Sequence, residues 1–244
     1  MILNYKNELI EIEIIRSKRT TLCLTMKTDG TVVVKAPQFI TDNKIREIVE
    51  KKAEWIFNKR KEISRRESKK VKREYVNGAT LPYLGEEVPI EIILHKKSKV
   101  ELEEELLSEV SSNSSTKKIV IYTPNTETEG IQKRLKKWYK KQTMDFLMNH
   151  VPNFSQKMNV SYTSISIKSR KSQWGTCDTQ GNLTFSWRLI MAPVESIDYV
   201  IVHELCHRKH MDHSKQFWGE VKKVLPNYKE YENWLNENSI NLTI

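Results

Sequence analysis

The sequence lacks the features that mark membrane proteins and secreted proteins. None of its apolar stretches approaches the roughly 20 uninterrupted residues that a membrane-spanning helix requires. The opening residues, Met1 to Lys6, carry neither the basic n-region nor the apolar h-region of a secretory signal peptide. We therefore expect a cytoplasmic protein that does not enter a membrane.

Cysteine is also scarce. Cys23, Cys177 and Cys206 are the three cysteines among 244 residues, and no two of them form a CxxC pair. An odd number of widely separated cysteines argues against a disulfide framework and against a cysteine-based zinc ribbon. We expect three reduced thiols, with Cys206 as a small residue of the core.

Positive charge, by contrast, is abundant and unevenly distributed. The 41 lysines and arginines exceed the 31 acidic residues and give a formal net charge of +10. Residues 59–73 and 131–141 concentrate the excess, and the second segment includes Trp138 and Tyr139. Solvated helical faces explain most such segments. They also allow nucleic acid as a partner, because each cation that neutralises a phosphate releases a counterion. Neither segment contains a known groove-reading motif.

The pattern of apolar residues predicts an α+β protein with two lobes, residues 1–126 and 127–244. In the first lobe, period-two runs predict a β-meander, and Thr41 or Asp42 can cap a helix that continues into the first basic segment. Turn signals at Gly78 and Gly85 predict further strands. Residues 101–117 resemble a flexible connection or a poorly ordered hairpin tip. The period-two runs of the meander span residues 9–15, 20–26 and 31–35.

The second lobe begins with a helical pattern. An apolar stripe from Ile131 to Leu147 faces away from the lysines, which is typical of an amphipathic helix. Alternation at Ile165 and Ile167 predicts a strand, and the turn at 178–181 predicts a hairpin that continues through 182–188. A final helical region begins near Ile197.

This last region contains His-Glu-x-x-His at His203, Glu204 and His207. Residues four apart lie on one face of a helix, so the two imidazoles can bind one ion. Such a pair typically holds Zn²⁺, and the glutamate accepts a proton from the water that the ion activates. The motif therefore predicts a zinc hydrolase with Glu204 as general base.

A catalytic zinc usually has three protein ligands, and His213 is the candidate third. It lies ten residues after His203, the offset of the last histidine in HExxHxxGxxH. His210 replaces the glycine of that pattern, so we expect Met211 and Asp212 to form the turn, with Asp212 or Ser214 capping the next helix. His210 is the rival third ligand. A structural zinc is a further alternative, although such sites usually have four protein ligands.

The carboxy-terminal segments resemble the YgjP-like metallopeptidases, predicted metal-dependent hydrolases related to the SprT and WLM groups of zincins. Weaker similarity covers the amino-terminal half, so the resemblance runs through most of the chain. The carboxy-terminal segments are SQWGTC, GNLTFSWRLIMAP and IDYVIVHELCHRKHMDHSKQFW, and the amino-terminal ones are RSKR, TTLCL, DGTVVVKAP and YLGEE.

The resemblance implies a gluzincin-type carboxy-terminal lobe in which His203, His207 and His213 bind zinc and Glu204 is the general base. It also places residues 171–177 near the site, which makes Gln173, Trp174 and Gly175 candidate substrate-binding residues. An edge strand there would let an extended peptide add as a further strand. The alternative is that Trp174 only fills the core.

Together these features predict a zinc metallopeptidase. Tyr199, Arg170 and Lys171 are candidates for the group that stabilises the oxyanion. Two other functions stay open: a zinc amidohydrolase acting on a small amide, and a nucleic-acid-associated protein, including a DNA-localised protease, that uses the basic segments. Sites of three imidazoles also accept cobalt, nickel or copper.

Overall fold

The computed structural model describes residues 1–27, 29–68, 70–106, 115–169 and 173–244. These residues form two compact units, Met1–Lys70 and Val71–Ile244. Each unit has its own cluster of buried apolar side chains. Both contain helices and strands, as an α+β fold requires.

The first unit contains a four-stranded sheet and two helices. Its core joins apolar residues of the strands, such as Ile12 and Val34, to Ile45, Val49 and Ile56 of the helices. Thr41 caps the first helix by accepting a hydrogen bond from the Lys44 amide, as the sequence predicts. The helical region is divided at Lys52, so it forms two helices. The elements are β1 (Ile2–Tyr5), β2 (Glu8–Ser17), β3 (Cys23–Met26), β4 (Val32–Pro37), α1 (Asp42–Lys51) and α2 (Ala53–Ser68).

The predicted β-meander is wrong. The sheet has the order β1-β2-β4-β3, with β2 and β4 parallel, so β4 lies between two strands that precede it in the chain. Val32, Val33 and Val34 are all buried. Consecutive buried residues are typical of a central strand with both faces covered, and this burial accounts for the inner position of β4.

The second unit begins with another four-stranded sheet, in the order β5-β6-β8-β7. Gly85, at φ +85°, forms the turn between β5 and β6. Residues 99–106 form a regular strand rather than the predicted flexible connection, and they pair antiparallel with β8. The predicted connection or hairpin tip covers residues 101–117; of these, residues 107–114 lie outside the described residues and residues 115–117 begin β8. The strands are β5 (Thr80–Tyr83), β6 (Glu86–Leu94), β7 (Lys99–Leu106) and β8 (Ser115–Thr123).

A three-stranded sheet and four α-helices complete the second unit. The sheet has the order β10-β11-β9, so β10 is an edge strand, and the predicted hairpin is formed by β10 and β11. The apolar stripe of α3 is buried as predicted. The elements are α3 (Thr128–Met158), β9 (Ser164–Lys168), β10 (Gly175–Cys177), β11 (Asn182–Ser186), a 3₁₀ helix (Trp187–Met191), α4 (Val194–Cys206), α5 (Lys215–Val224) and α6 (Tyr228–Asn238).

The division between the units lies at residue 70, whereas the sequence pattern placed it near residue 126. The reason is that β5 to β8 share one core with α3 and α4. The Tyr139 hydroxyl on α3 donates to the Pro82 carbonyl at 2.8 Å, and the Leu84 amide donates to the Ile190 carbonyl at 2.8 Å. The assignment of catalysis to residues 127–244 stays a prediction.

Contacts within the second unit fix the start of α4. The Gly85 amide donates to the Met191 carbonyl at 3.2 Å. A Cβ added at Gly85 would lie 2.9 Å from Pro193, the residue that precedes α4. The β5–β6 turn therefore needs glycine both for its backbone conformation and for this close approach. Within the described residues, no helix is both long and apolar enough to cross a membrane.

Candidate metal centre

Three histidine side chains converge at the end of α4. A ligand nitrogen from each of His203, His207 and His213 lies within 4.8 Å of the other two. The Nε2 atoms of His203 and His213 are 3.1 Å apart. Two ligands of a tetrahedral zinc, each at 2.0–2.1 Å, would lie about 3.3 Å apart. The cluster is thus the right size to hold one ion.

Local structure explains how three residues from one short segment meet. His203 lies in the last turn of α4 and His207 caps that helix, so helical spacing places both on one face. The chain then turns, and Ser214 caps α5 by accepting a hydrogen bond from the Phe217 amide at 3.4 Å. His213 directly precedes this cap. It is brought back to the pair as the sequence predicts.

The turn between the helices is built without the glycine of the metzincin pattern. None of residues 207–213, all of which the structure describes, has a positive φ. The His210 amide donates to the Cys206 carbonyl at 3.0 Å, so the helix continues briefly before it ends. His210 contributes its carbonyl to the site and is not among the three clustered side chains.

Two ring nitrogens test whether the cluster fits a metal. His207 Nδ1 donates to the His210 carbonyl at 3.1 Å, which leaves its Nε2 with a free lone pair, as metal-binding imidazoles require. His203 Nδ1 is buried and has no hydrogen-bond partner in the described part of the chain. A cation bound at His203 Nε2 would leave this nitrogen unpaired, so the fit to a metal rests on the three clustered ring nitrogens and on the free lone pair of His207 Nε2. The donor set of three imidazoles therefore fits a divalent cation such as Zn²⁺.

Burial keeps two of these histidines neutral. It lowers the pKa of His203 to about 3, with smaller contributions from His207 and His213. Burial also lowers the pKa of His207, although the hydrogen bond to the His210 carbonyl acts in the opposite direction. Neutral imidazole is the form that binds metal, so these two side chains can bind a cation at neutral pH.

The carboxylate of Glu204 is enclosed between α4 and β10. The residue is 5% exposed, and burial raises its pKa to about 8. An ideal Cβ at Gly175 would lie 2.6 Å from both Cγ and Oε1 of Glu204. Only glycine leaves room for the carboxylate here. A carboxyl group with a pKa near neutrality can both accept and return a proton.

Aromatic side chains support the three imidazoles. Phe217 is fully buried, and its ring centroid lies 4.7 to 4.9 Å from those of His203, His207 and His213. Trp218 flanks His203 and His213 at 5.7 and 5.9 Å. The sequence predicts a helix after the turn but not this contact of its side chains with the histidines. The signal was the position of Phe217, four residues after His213 on the next helix.

The family resemblance places residues 171–177 near the site, and one of them, Gly175, lies beside Glu204. Gly175 contacts the carboxylate, while Trp174 is half-buried against the core and its carbonyl accepts from the Ser186 amide at 2.8 Å. Gln173 is exposed. Substrate contact by these three residues stays a prediction. Lys171 lies outside the described residues, as does Arg170.

Arg208 holds the end of α4 against the neighbouring loops, and sequence reasoning missed it. Its Nε donates to the Ser161 carbonyl at 3.0 Å, and its Nη1 donates to the Thr179 carbonyl at 3.1 Å. No sequence signal identifies this role, because both partners are backbone carbonyls distant in the chain. Arg208 also hydrogen-bonds to the half-buried thiol of Cys177, whose pKa burial raises.

Two other predicted residues take supporting positions. Cys206 is fully buried, and burial raises the pKa of its thiol to about 12, consistent with a core residue. The Tyr199 ring lies 5.9 Å from that of His203. Burial and a hydrogen bond to Glu232 raise the pKa of the Tyr199 phenol, so its hydroxyl is directed to α6.

The chain is similar to metallopeptidases in sequence, and two solved metallopeptidase structures match part of it. Residues 20–238 match the family described as YgjP-like, metallopeptidase domain. Among solved structures, the metallopeptidase zymogen abylysin of Pyrococcus abyssi is 22% identical, with 39% of this chain and 97% of abylysin covered and a TM-score of 0.35. The zymogen jannalysin of Methanocaldococcus jannaschii is 20% identical, with 38% and 95% covered and a TM-score of 0.35. No curated protein matches the chain.

Proposed function

The chain belongs to the YgjP-like metallopeptidase domain family, and from this premise we propose that it is a zinc-dependent peptidase with Glu204 as general base. The observation that carries the proposal is the convergence of His203, His207 and His213, together with the buried carboxyl group of Glu204, the residue that follows His203. Three imidazoles form the donor set of a hydrolytic zinc site, and a carboxyl group that is not a ligand can serve as its general base.

Each residue has a distinct task in this proposal. The three histidines hold the cation, which when bound supplies a Lewis acid that polarises the scissile carbonyl and acidifies water. Glu204 accepts a proton from the attacking water and returns it to the leaving amine. Gly175 leaves the carboxylate its space, and Phe217 keeps the imidazole rings in place. Arg208 anchors the end of α4.

An open coordination position distinguishes a catalytic site from a structural one. Within the described residues, the cluster contains three histidines and no fourth histidine, cysteine, aspartate or glutamate. Structural zinc sites are usually closed by four protein ligands. The composition of this cluster therefore supports catalysis. Zinc is proposed over cobalt, nickel or copper because tri-imidazole sites accept them all and zinc catalyses hydrolysis without redox chemistry.

The edge strand β10 supports a peptide as the substrate. Its backbone pairs with β11 on one side, and β10 is the outer strand of its sheet. Gly175, the first residue of β10, contacts Glu204. A peptide that adds to this edge as an extended strand would therefore pass beside the general base. A small amide would gain nothing from this edge, which disfavours the amidohydrolase alternative.

A peptide library read by mass spectrometry tests this function. The zinc-loaded protein is expected to cleave peptide bonds, and a chelator is expected to abolish cleavage until zinc is restored. Glu204→Gln serves as the control, because it should retain zinc and lose cleavage. Chelator-sensitive hydrolysis of small amides without any peptide cleavage would instead support the amidohydrolase. Absence of any chelator-sensitive hydrolysis would refute both.

A further inference from the structure

A second surface of the same unit carries a groove that the metal centre does not use. The groove lies between β7 and α3 and has a volume of about 630 Å³. Five cations contribute to its lining, and Trp138 lies among them. The lining side chains with charge or an aromatic ring are Lys99, Lys133, Arg134, Lys137, Trp138 and Lys141.

Three of these lysines form a regular row. Lys133, Lys137 and Lys141 are exposed and recur every four residues on α3. Four residues of an α-helix rise about 6 Å, so the row is about 12 Å long. Three cations in such a row can contact up to three phosphates of one nucleic acid strand.

The row has no internal charge compensation. None of its three lysines forms an ion pair with any residue that the structure describes. The basic segment at 59–73 differs in this respect, since Lys59 pairs with Glu62 at 2.7 Å. Arg73 from the same segment pairs with Glu87, also at 2.7 Å. Like charges placed together without partners repel one another, and a polyanion relieves that repulsion.

The surroundings define the limits of the surface. Exposed Glu129 lies four residues before Lys133, and exposed Asp145 lies four residues after Lys141. The positive surface is therefore short. Lys99 is paired with Glu101 at 2.5 Å, and Arg134 donates to the Ser98 hydroxyl at 3.0 Å. These two cations flank the row. Lys133, Lys137 and Lys141 are the three free to bind a ligand.

We propose that this groove binds the backbone of a single-stranded nucleic acid. Evenly spaced point charges match a repeating polyanion, and a groove between a strand and a helix admits one strand more readily than a flat membrane surface. Trp138 is 7% exposed, so it presents an edge and no broad stacking face. Binding is therefore independent of base sequence. The inference does not depend on the proposed peptidase activity.

Fluorescence anisotropy with a labelled oligo-dT of about 20 nucleotides tests the proposal across a salt series. Three phosphate contacts predict a slope of log Kobs against log salt of about −2. Replacing Lys133, Lys137 and Lys141 by Gln should weaken binding at least about tenfold and bring the slope close to zero. The matched control replaces Lys157, Lys222 and Lys229, which are exposed and without an ion pair in the described part of the chain. It removes the same charge and should bind like the parent protein.

Thermal unfolding of both variants verifies that they fold. Equal loss of affinity in the two variants would mean that net charge, and not this groove, attracts the oligonucleotide, and would overturn the proposal. Unchanged binding after replacement of Lys133, Lys137 and Lys141 would also overturn the proposal. Poly-glutamate or anionic vesicles are the competing ligands. If poly-glutamate or the vesicles bound through the three lysines while the oligonucleotide did not bind, the assignment of a nucleic acid as the partner would be wrong.

Discussion

Gly175 and Glu204 pack so closely that a side chain at position 175 would occupy the space of the carboxylate. The added Cβ would lie 2.6 Å from Oε1. At this contact the proposed general base, on α4, meets the edge strand β10, along which we propose that the peptide binds.

The Gly175→Ala variant tests this packing. We expect the extra methyl group to displace Glu204 while the three histidines keep their positions. A displacement of about 1 Å at a reacting group can cost about 10²-fold in rate, so kcat/KM should fall by that order while zinc stoichiometry is retained. Steady-state kinetics and metal analysis measure the two quantities.

Gly219→Ala is the matched control for that experiment. An added Cβ at Gly219 meets nothing within 4 Å, and alanine in α5 should stabilise the helix by up to about 1 kcal/mol. Its kinetics should be those of the parent protein. If Gly175→Ala were as active as Gly219→Ala, Glu204 would not depend on this close contact.

The histidine assignment predicts which substitutions release the metal. Alanine at His203, His207 or His213 should each abolish stoichiometric zinc binding, because two imidazoles hold the ion too weakly. His210→Ala should retain one zinc per chain, since His210 contributes its carbonyl, which the substitution preserves. Equilibrium dialysis with metal analysis checks all four variants. If His210→Ala lost zinc while His213→Ala retained it fully, His210 and not His213 would be the third ligand.

A pH-dependent ion pair near the site gives a stability prediction. Hydrogen bonds from Lys223 and Lys209 lower the pKa of Glu220 to about 2. A carboxyl group whose pKa is lower in the folded state stabilises the fold above its ordinary pKa of 4.5, and this stabilisation is lost as pH falls toward 2. Glu220→Gln should therefore cost about 1 kcal/mol at neutral pH and progressively less as the solution is acidified below the ordinary carboxyl pKa.

Urea denaturation at several pH values measures this difference. Glu237→Gln is the control, because Glu237 is exposed on α6 and forms no ion pair with the described residues. It should unfold like the parent protein throughout. A constant difference for Glu220→Gln between neutral and acidic pH would show that the lysine contacts do not cause the stabilisation.

Tyr199→Phe separates a structural role from a catalytic one. Because its hydroxyl bonds to Glu232, we expect loss of that hydroxyl to lower the free energy of unfolding by about 1 kcal/mol. The value of kcat should stay close to that of the parent protein. A fall in kcat of about 10²-fold with zinc retained would instead identify the hydroxyl as the group that stabilises the oxyanion.

Local periodicity explains which parts of the site could be predicted. Helical spacing alone places His203 and His207 on one face, and the offset of His213 indicated the third position. The contact of Gly175 with Glu204 depends on how a sheet edge meets a helix, which no local pattern encodes. Only the family resemblance placed that segment near the site.

In the fold, too, local sequence patterns predict single elements but not how those elements pack. Period-two alternation assigned residues to strands because it reflects one buried face. It does not specify which strands are neighbours, so the insertion of β4 between β2 and β3 was missed. The division between the units was also misplaced, because packing of α3 on β5 is a nonlocal property.

A crystal structure of the zinc-loaded protein, with anomalous data at the zinc edge, tests the central claim most directly. We predict one ion bound by nitrogens of His203, His207 and His213 at about 2.0–2.1 Å, with an open coordination position facing Glu204. An ion closed by a fourth protein ligand, or three imidazoles that point away from a common centre, would contradict the assignment.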